Sequence, residues 1–250
     1  MGSWQEGEDR RLEEGRQWAP WALEQWATFP TTGKRPLVLT GPMVWSQGGH
    51  RPGPAKLAFL NRDWELPPAV PAAVLELAKA TAGHTPIGNR SYEPLHIQSA
   101  SLARAAFETD RGPVQLPAWR LESDQALGPM WVLDPKVAST VWAPPKITSS
   151  PPELPRPTEL LEEATIVGGD GTRLRVTFTG GSPRGVDYPS AEVFESEHAV
   201  VILPVAIDTG PEGFRTLQGY SREVVGKLSR PIGDRVLVNL DASPVAALGP

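Results

Sequence analysis

The sequence predicts a mainly β protein with minor α, built on antiparallel strands, with an α+β first unit followed by a β-sandwich-like C-terminal unit. Three observations carry that expectation. Glycine and proline number 24 and 28 in 250 residues, where roughly 12% together is usual, so the chain must turn often and keep its elements short. Residues 94–109 and 173–179 alternate apolar and polar side chains with the period of two that a half-buried strand requires. Short apolar runs then recur between Glu163 and Leu240, separated by turn residues, at the spacing of a sandwich or barrel.

Taken in chain order, residues 1–30 form an N-terminal arm. Its charged start, 5–17, suits a solvated or frayed helix or a disordered segment. Trp18, Trp21, Ala22, Trp26 and Phe29 follow within one arc of a helical wheel. Pro20 fits the first turn of that helix and Pro30 its end. The stripe is expected to dock on the fold, on the sheet or helix next in the chain. The alternative is that Trp18, Trp21 and Trp26 stay exposed and meet a protein partner or a membrane interface.

The first unit spans 31–142. Pro36–Thr40 and Pro42–Ser46 read as two short strands around Gly41. A helix begins at Pro71, with Val70, Val74, Leu77 and Ala78 on one stripe and Gly83 as its cap. Residues 94–109 read as one long strand. Thr109-Asp-Arg-Gly-Pro113 is a turn, Val114–Glu122 returns with Pro117 confined to an edge or bulge, and Met130–Leu133 completes an antiparallel meander. The proline-rich stretch 143–157 reads as a linker, and its Pro152-Glu-Leu-Pro155 as a stiff spacer.

The C-terminal unit spans 158–250. Glu163–Val167 and Arg173–Thr179 flank the hairpin turn Gly168-Gly-Asp-Gly171, with Leu174, Val176 and Phe178 inward. Ala191–Glu195, His198–Ile207, Tyr220–Leu228 and Arg235–Leu240 follow. Val200-Val-Ile-Leu203 is apolar on both parities, so its strand should be covered on two faces.

Composition excludes several chemistries. With no cysteine, the chain has no disulfide, thiolate nucleophile, Cys-ligated zinc or iron–sulfur cluster. The net charge of −5 and the lack of a basic tract speak against nucleic acid as a partner. No apolar run approaches the ~20 residues that span a bilayer, and no hydrophobic signal core opens the sequence. The expected location is the cytoplasm, with a removed leader as the alternative. His50, His84, His96 and His198 stand at no ligand spacing, and no cofactor or metal is expected. Gly168-Gly-Asp-Gly171 precedes neither a helix nor Lys-Ser/Thr, so it is no phosphate loop, and no Gly-x-Ser-x-Gly elbow is present. The candidate ligand site is His96, Asp110, Arg111 and Trp119: a titratable ring, an acid–base pair in a turn, and an aromatic face.

Two stretches carry a resemblance. Phe107–Leu121 with Gly128–Pro135, and Gly219–Val238, resemble runs found in an uncharacterised family of high-GC actinobacterial proteins. The resemblance implies no activity and no site residues. Some of those proteins carry secretion or lipoprotein leaders and a C-terminal cysteine, features this sequence does not show. The function expected from the sequence is therefore a non-catalytic β-rich binding or structural role. A small-molecule binder or unrecognised hydrolase with its site in the first unit is the first alternative, and an envelope-associated protein without its leader the second.

Overall fold

The computed structural model describes residues 5–51, 55–81, 93–144, 151–154, 160–209 and 219–249. The fold is mainly β with few helices. It divides into two compact units. A terminal unit comprises Met1–Thr40, Thr109–Gly112 and Trp142–Pro250, and a central unit comprises Gly41–Glu108 and Pro113–Val141. The N-terminal arm thus groups with the C-terminal strands, not with the sheet that follows it in the chain. Gly83, His84 and most of 143–157 lie outside the described residues. Of that stretch, Leu154 packs at the margin of the terminal unit's apolar core.

In the central unit, β1 (Val44–Ser46), β4 (Ser99–Phe107), β5 (Val114–Glu122) and β6 (Met130–Leu133) form an antiparallel sheet in the order β1-β6-β5-β4. A second pair, β2 (Trp64–Glu65) and β3 (Leu95–His96), runs parallel. Helices α2 (Ala55–Asn61), α3 (Ala72–Ala80) and α4 (Pro135–Ala138) complete it. Val74 and Ala78 of α3 are buried with Val44, Leu121, Met130 and Val132, as the apolar stripe requires. Two strand expectations change. The long strand 94–109 is two strands, because the chain changes partner midway. Ile97 N–H donates to Glu65 O at 3.0 Å, while Gln98 N–H donates to Glu122 O at 2.9 Å. Residues 36–40, in the terminal unit, form no continuous strand: Leu37 and Leu39 are isolated bridge residues, Leu39 paired with Thr109 and the Leu37 carbonyl accepting from Trp142 N–H at 2.8 Å.

In the terminal unit, β7 (Leu161–Ile166), β8 (Arg173–Gly180), β9 (Val186–Glu195), β10 (Ala199–Asp208), β11 (Tyr220–Lys227), β12 (Val236–Val238) and β13 (Pro244–Leu248) form one sheet. Its order is β11-β8-β7-β13-β12-β10-β9. The sheet curls until its edge strands β11 and β9 approach each other, so it encloses its own core. That core takes Leu174, Val176, Phe178, Val200, Ile202, Val224, Leu237 and Val245. Most pairs are antiparallel, but β10–β12 and β13–β7 are parallel. The β7–β8 hairpin turns through Gly168 (φ +86°) and Gly171 (φ +66°), conformations that glycine adopts without steric cost.

The N-terminal helix α1 (Gln5–Gln25) is longer than expected, and Pro20 lies inside it. Proline deprives the Arg16 carbonyl of a helical partner. Because Pro20 is exposed, water can serve that carbonyl instead. The opposite face of the helix is apolar and packs on β10 and β12. Trp18, Ala19, Ala22, Trp26 and Phe29 are buried with Ala199, Val201, Leu203, Val236 and Val238. Gly15 lets the helix come close, since a Cβ there would meet Leu203 Cδ2 at 2.7 Å. Trp26 is 1% exposed, stacks on Trp142 with centroids 4.4 Å apart and donates its indole N–H to Ala242 O at 2.9 Å. The salt bridge from Arg16 to Glu192 lies at the surface and adds little.

Replacing a buried indole that fills this layer leaves a cavity and an unpaired carbonyl. Trp26→Ala is expected to lower unfolding free energy by about 3–5 kcal/mol, read from the urea midpoint at unchanged slope. A loss under ~1 kcal/mol would mean that α1 is not part of the cooperative fold.

Candidate functional site

The sequence-selected residues fall in different places. Asp110 and Arg111 belong to the terminal unit, His96 and Trp119 to the central one. Asp110 and Arg111 sit in the turn Thr109–Gly112, which Gly112 closes at φ +96°. Thr109 Oγ1 donates to Gly112 O at 2.5 Å and accepts from Arg111 N–H at 3.2 Å. The backbone of Asp110 joins two segments far off in sequence, donating to Val38 O at 3.1 Å and accepting from Ala247 N–H at 2.9 Å.

Asp110 is buried, its side chain 3% exposed. It accepts both terminal nitrogens of Arg35, Nη1 at 3.2 Å and Nη2 on its other oxygen. Arg111 Nε lies 3.8 Å away. The two arginines then hold one loop. Arg35 Nε donates to Asp234 O at 3.1 Å, and Arg111 Nη2 donates to Gly233 O at 2.6 Å and Arg235 O at 2.9 Å. Burial, with the neighbouring Arg35 charge, lowers the pKa of Arg111.

Arg235 secures the same loop from within. It is buried, donates to Arg230 O at 2.8 Å and Pro231 O at 2.9 Å, and pairs with Glu195 at 2.6 Å. Burial pushes the Glu195 carboxyl up. The Ser229 N–H and the Arg235 guanidinium outweigh that and hold it below the usual range. A buried ion pair gains little net energy, but removing one partner costs about 3–5 kcal/mol, because the other charge is stranded. The network is therefore a device for fixing the 230–235 loop.

His96 is exposed and pairs through Nδ1 with Glu65 Oε2 at 2.8 Å, directly across the β2–β3 register. It lies on β3, apart from the β4 strand that holds the rest of 94–109, since the chain changes partner between Ile97 and Gln98. Trp119 lies on β5 between Leu102 and Val132 in the register and packs at the edge of the central core. Trp18 and Trp26 are buried inside the terminal unit, so their surface is taken up there. Trp21 is half-buried, edge-on to Trp18 at 5.2 Å. His198 Nδ1 lies 2.6 Å from Phe29 O, a contact that ties the end of the N-terminal segment to β10. Among the described residues, no three His, Asp or Glu side chains converge as metal ligands do. Compared with protein-family models, curated proteins and solved structures, the chain gives no match.

One arrangement escaped the sequence reading. Arg62 follows α2 in a left-handed conformation, φ +57°, which costs a non-glycine residue about 1 kcal/mol or more. Its guanidinium lies 5.5 Å from the Phe59 ring centroid and 5.3 Å from that of Trp64. Nη1 donates to Phe59 O at 3.3 Å. Nε is buried without a hydrogen-bond partner, as is the indole N–H of Trp64. Burial lowers the pKa of Arg62. His50 adds an edge contact to Phe59 at 5.4 Å. An arginine in a turn gives no sequence signal by itself, and a positive φ is invisible until the backbone is placed.

The Glu195 shift fixes a pH dependence. A carboxyl whose folded pKa is depressed contributes stability that is complete above its unfolded value, about 4.3. That contribution is lost as pH falls through the lower folded value. Glu195→Gln should therefore narrow the stability difference between about pH 6 and about pH 3 relative to wild type, measured by urea unfolding. An unchanged difference would show that the Glu195 contacts do not form in solution.

Proposed function

We propose that the protein is a non-catalytic β-rich protein with a binding or structural role. The observation that carries this reading is the use made of Asp110 and Arg111, the pair best suited to acid–base work. The carboxylate is closed off between Arg35 and Arg111, and Arg111 is engaged by two backbone carbonyls. A general acid or base needs a free lone pair or proton within reach of substrate. A buried carboxylate held in a guanidinium fork offers neither. His96, exposed and paired to Glu65, has no nucleophile among the contacts that the structure gives it.

A second reading, a small-molecule binder, is favoured by Arg62. A half-buried cation set against two aromatic rings is the kind of polar group that a ligand subsite uses.

The purified protein should release no nitrophenol above the protein-free rate from p-nitrophenyl acetate or p-nitrophenyl phosphate. Saturable turnover that Asp110→Asn abolishes in a still-folded protein would replace the non-catalytic reading with a hydrolytic one.

A further inference from the structure

We infer that the free edge of β4 pairs with the β4 edge of a second copy of this chain, joining two central sheets across a two-fold axis. The pairing is independent of whether the protein is catalytic. An edge strand presents a row of backbone N–H and C=O groups without a ladder partner, a template for a further strand. In the central sheet, β4 is one edge and β1 the other. β1 offers three residues and β4 offers nine. In the terminal unit the edge strands β11 and β9 approach each other. Among the described residues, β4 is therefore the long edge left open.

The strand lacks the devices that blunt such an edge: lysine, proline, bulges and charges set across it. Its sequence, Ser-Ala-Ser-Leu-Ala-Arg-Ala-Ala-Phe, has neither Lys nor Pro. Its ladder with β5 runs through nine pairs without a register shift, whereas β9–β10 and β7–β8 both shift. The one charge, Arg104, donates through Nη2 to Gln115 O on β5, so it folds back over its own sheet. Leu102, near the middle of the strand, is 57% exposed.

The occupant is a second copy because the strand complements itself. Two identical strands that pair antiparallel are related by a two-fold axis. With that axis at Ala103, Ala103 meets its own symmetry mate, Ser101 faces Ala105, and Leu102 faces Arg104. No like charges stand directly opposite each other. The small Ser and Ala side chains let the two backbones close to ladder spacing, ~4.8 Å. The exposed Leu102 gains cover from the aliphatic stem of the opposite Arg104. The joined sheet then ends at the short β1 on both sides, so pairing stops at a dimer.

The test is analytical ultracentrifugation of the full chain between about 1 micromolar and about 1 millimolar. Paired strand edges make a small interface, so the mass should rise from one chain towards two with a Kd of ~10–500 micromolar. Leu102→Lys places a second cation opposite Arg104 twice over and should weaken the dimer about tenfold. Leu102→Glu places an anion there and should keep the dimer or tighten it. Because Leu102 is exposed, both variants should melt with the wild type. A chain that stays monomeric to about 1 millimolar would overturn the proposal. So would a dimer that both substitutions leave unchanged, which would lie on another surface. Equal weakening by Lys and Glu would overturn the pairing of Leu102 with Arg104, and with it the two-fold register.

Discussion

Strand β10 is apolar on both faces, and the terminal unit is organised around covering both. Val200 and Ile202 point into the curled sheet. Ala199, Val201 and Leu203 point the other way and, without a cover, would form an apolar stripe facing water. The sheet cannot supply that cover, because its curl turns this face outward. Helix α1 supplies it with indoles and small residues. Each tryptophan buries roughly 150–250 Å², worth about 4–6 kcal/mol at ~25 cal/mol per Å² before ordering entropy is subtracted. Pro20 inside the helix and the nearly uniform polarity of its outer face are tolerated because tertiary packing, not intrinsic propensity, holds it.

Polar chemistry follows the same division of labour. Three arginines, Arg35, Arg111 and the loop's own Arg235, hold the 230–235 loop by donating to its carbonyls. Asp110 and Glu195 supply the countercharge. Asp110 and Arg111, which look available for chemistry in the sequence, are engaged in holding this loop. Arg62, in the central unit, donates to the Phe59 carbonyl and lies against the Phe59 and Trp64 rings.

Much of the architecture was legible in the sequence because it depends on short-range periodicity. The clean alternation of Leu174, Val176 and Phe178 and the two-sided run Val200–Leu203 are properties of neighbouring residues, and both emerge as expected. What was hidden depends on long-range pairing. The tryptophan stripe announced a docked helix but not its receptor, which lies some 180 residues away in β10. The change of partner at Ile97–Gln98 leaves the alternation intact and so looks like one strand. Strand β13, Pro-Val-Ala-Ala-Leu, is too small and Ala-rich to announce itself, and its parallel pairing with β7 is set by topology. Asp110 could be recognised as a turn residue, but not as the partner of Arg35, 75 positions earlier. The φ of Arg62 has no sequence signature at all.

If α1 closes β10, helix and strand must open together. Native-state hydrogen exchange measures this directly, because residues in one cooperative unit share an opening free energy. The helical amides between Trp21 and Gln25 should exchange with protection within about tenfold of Val201 and Leu203, with the same denaturant dependence. Helix amides that exchange a thousandfold faster, through an opening insensitive to denaturant, would contradict the account and show a β-sheet that stands without its cover.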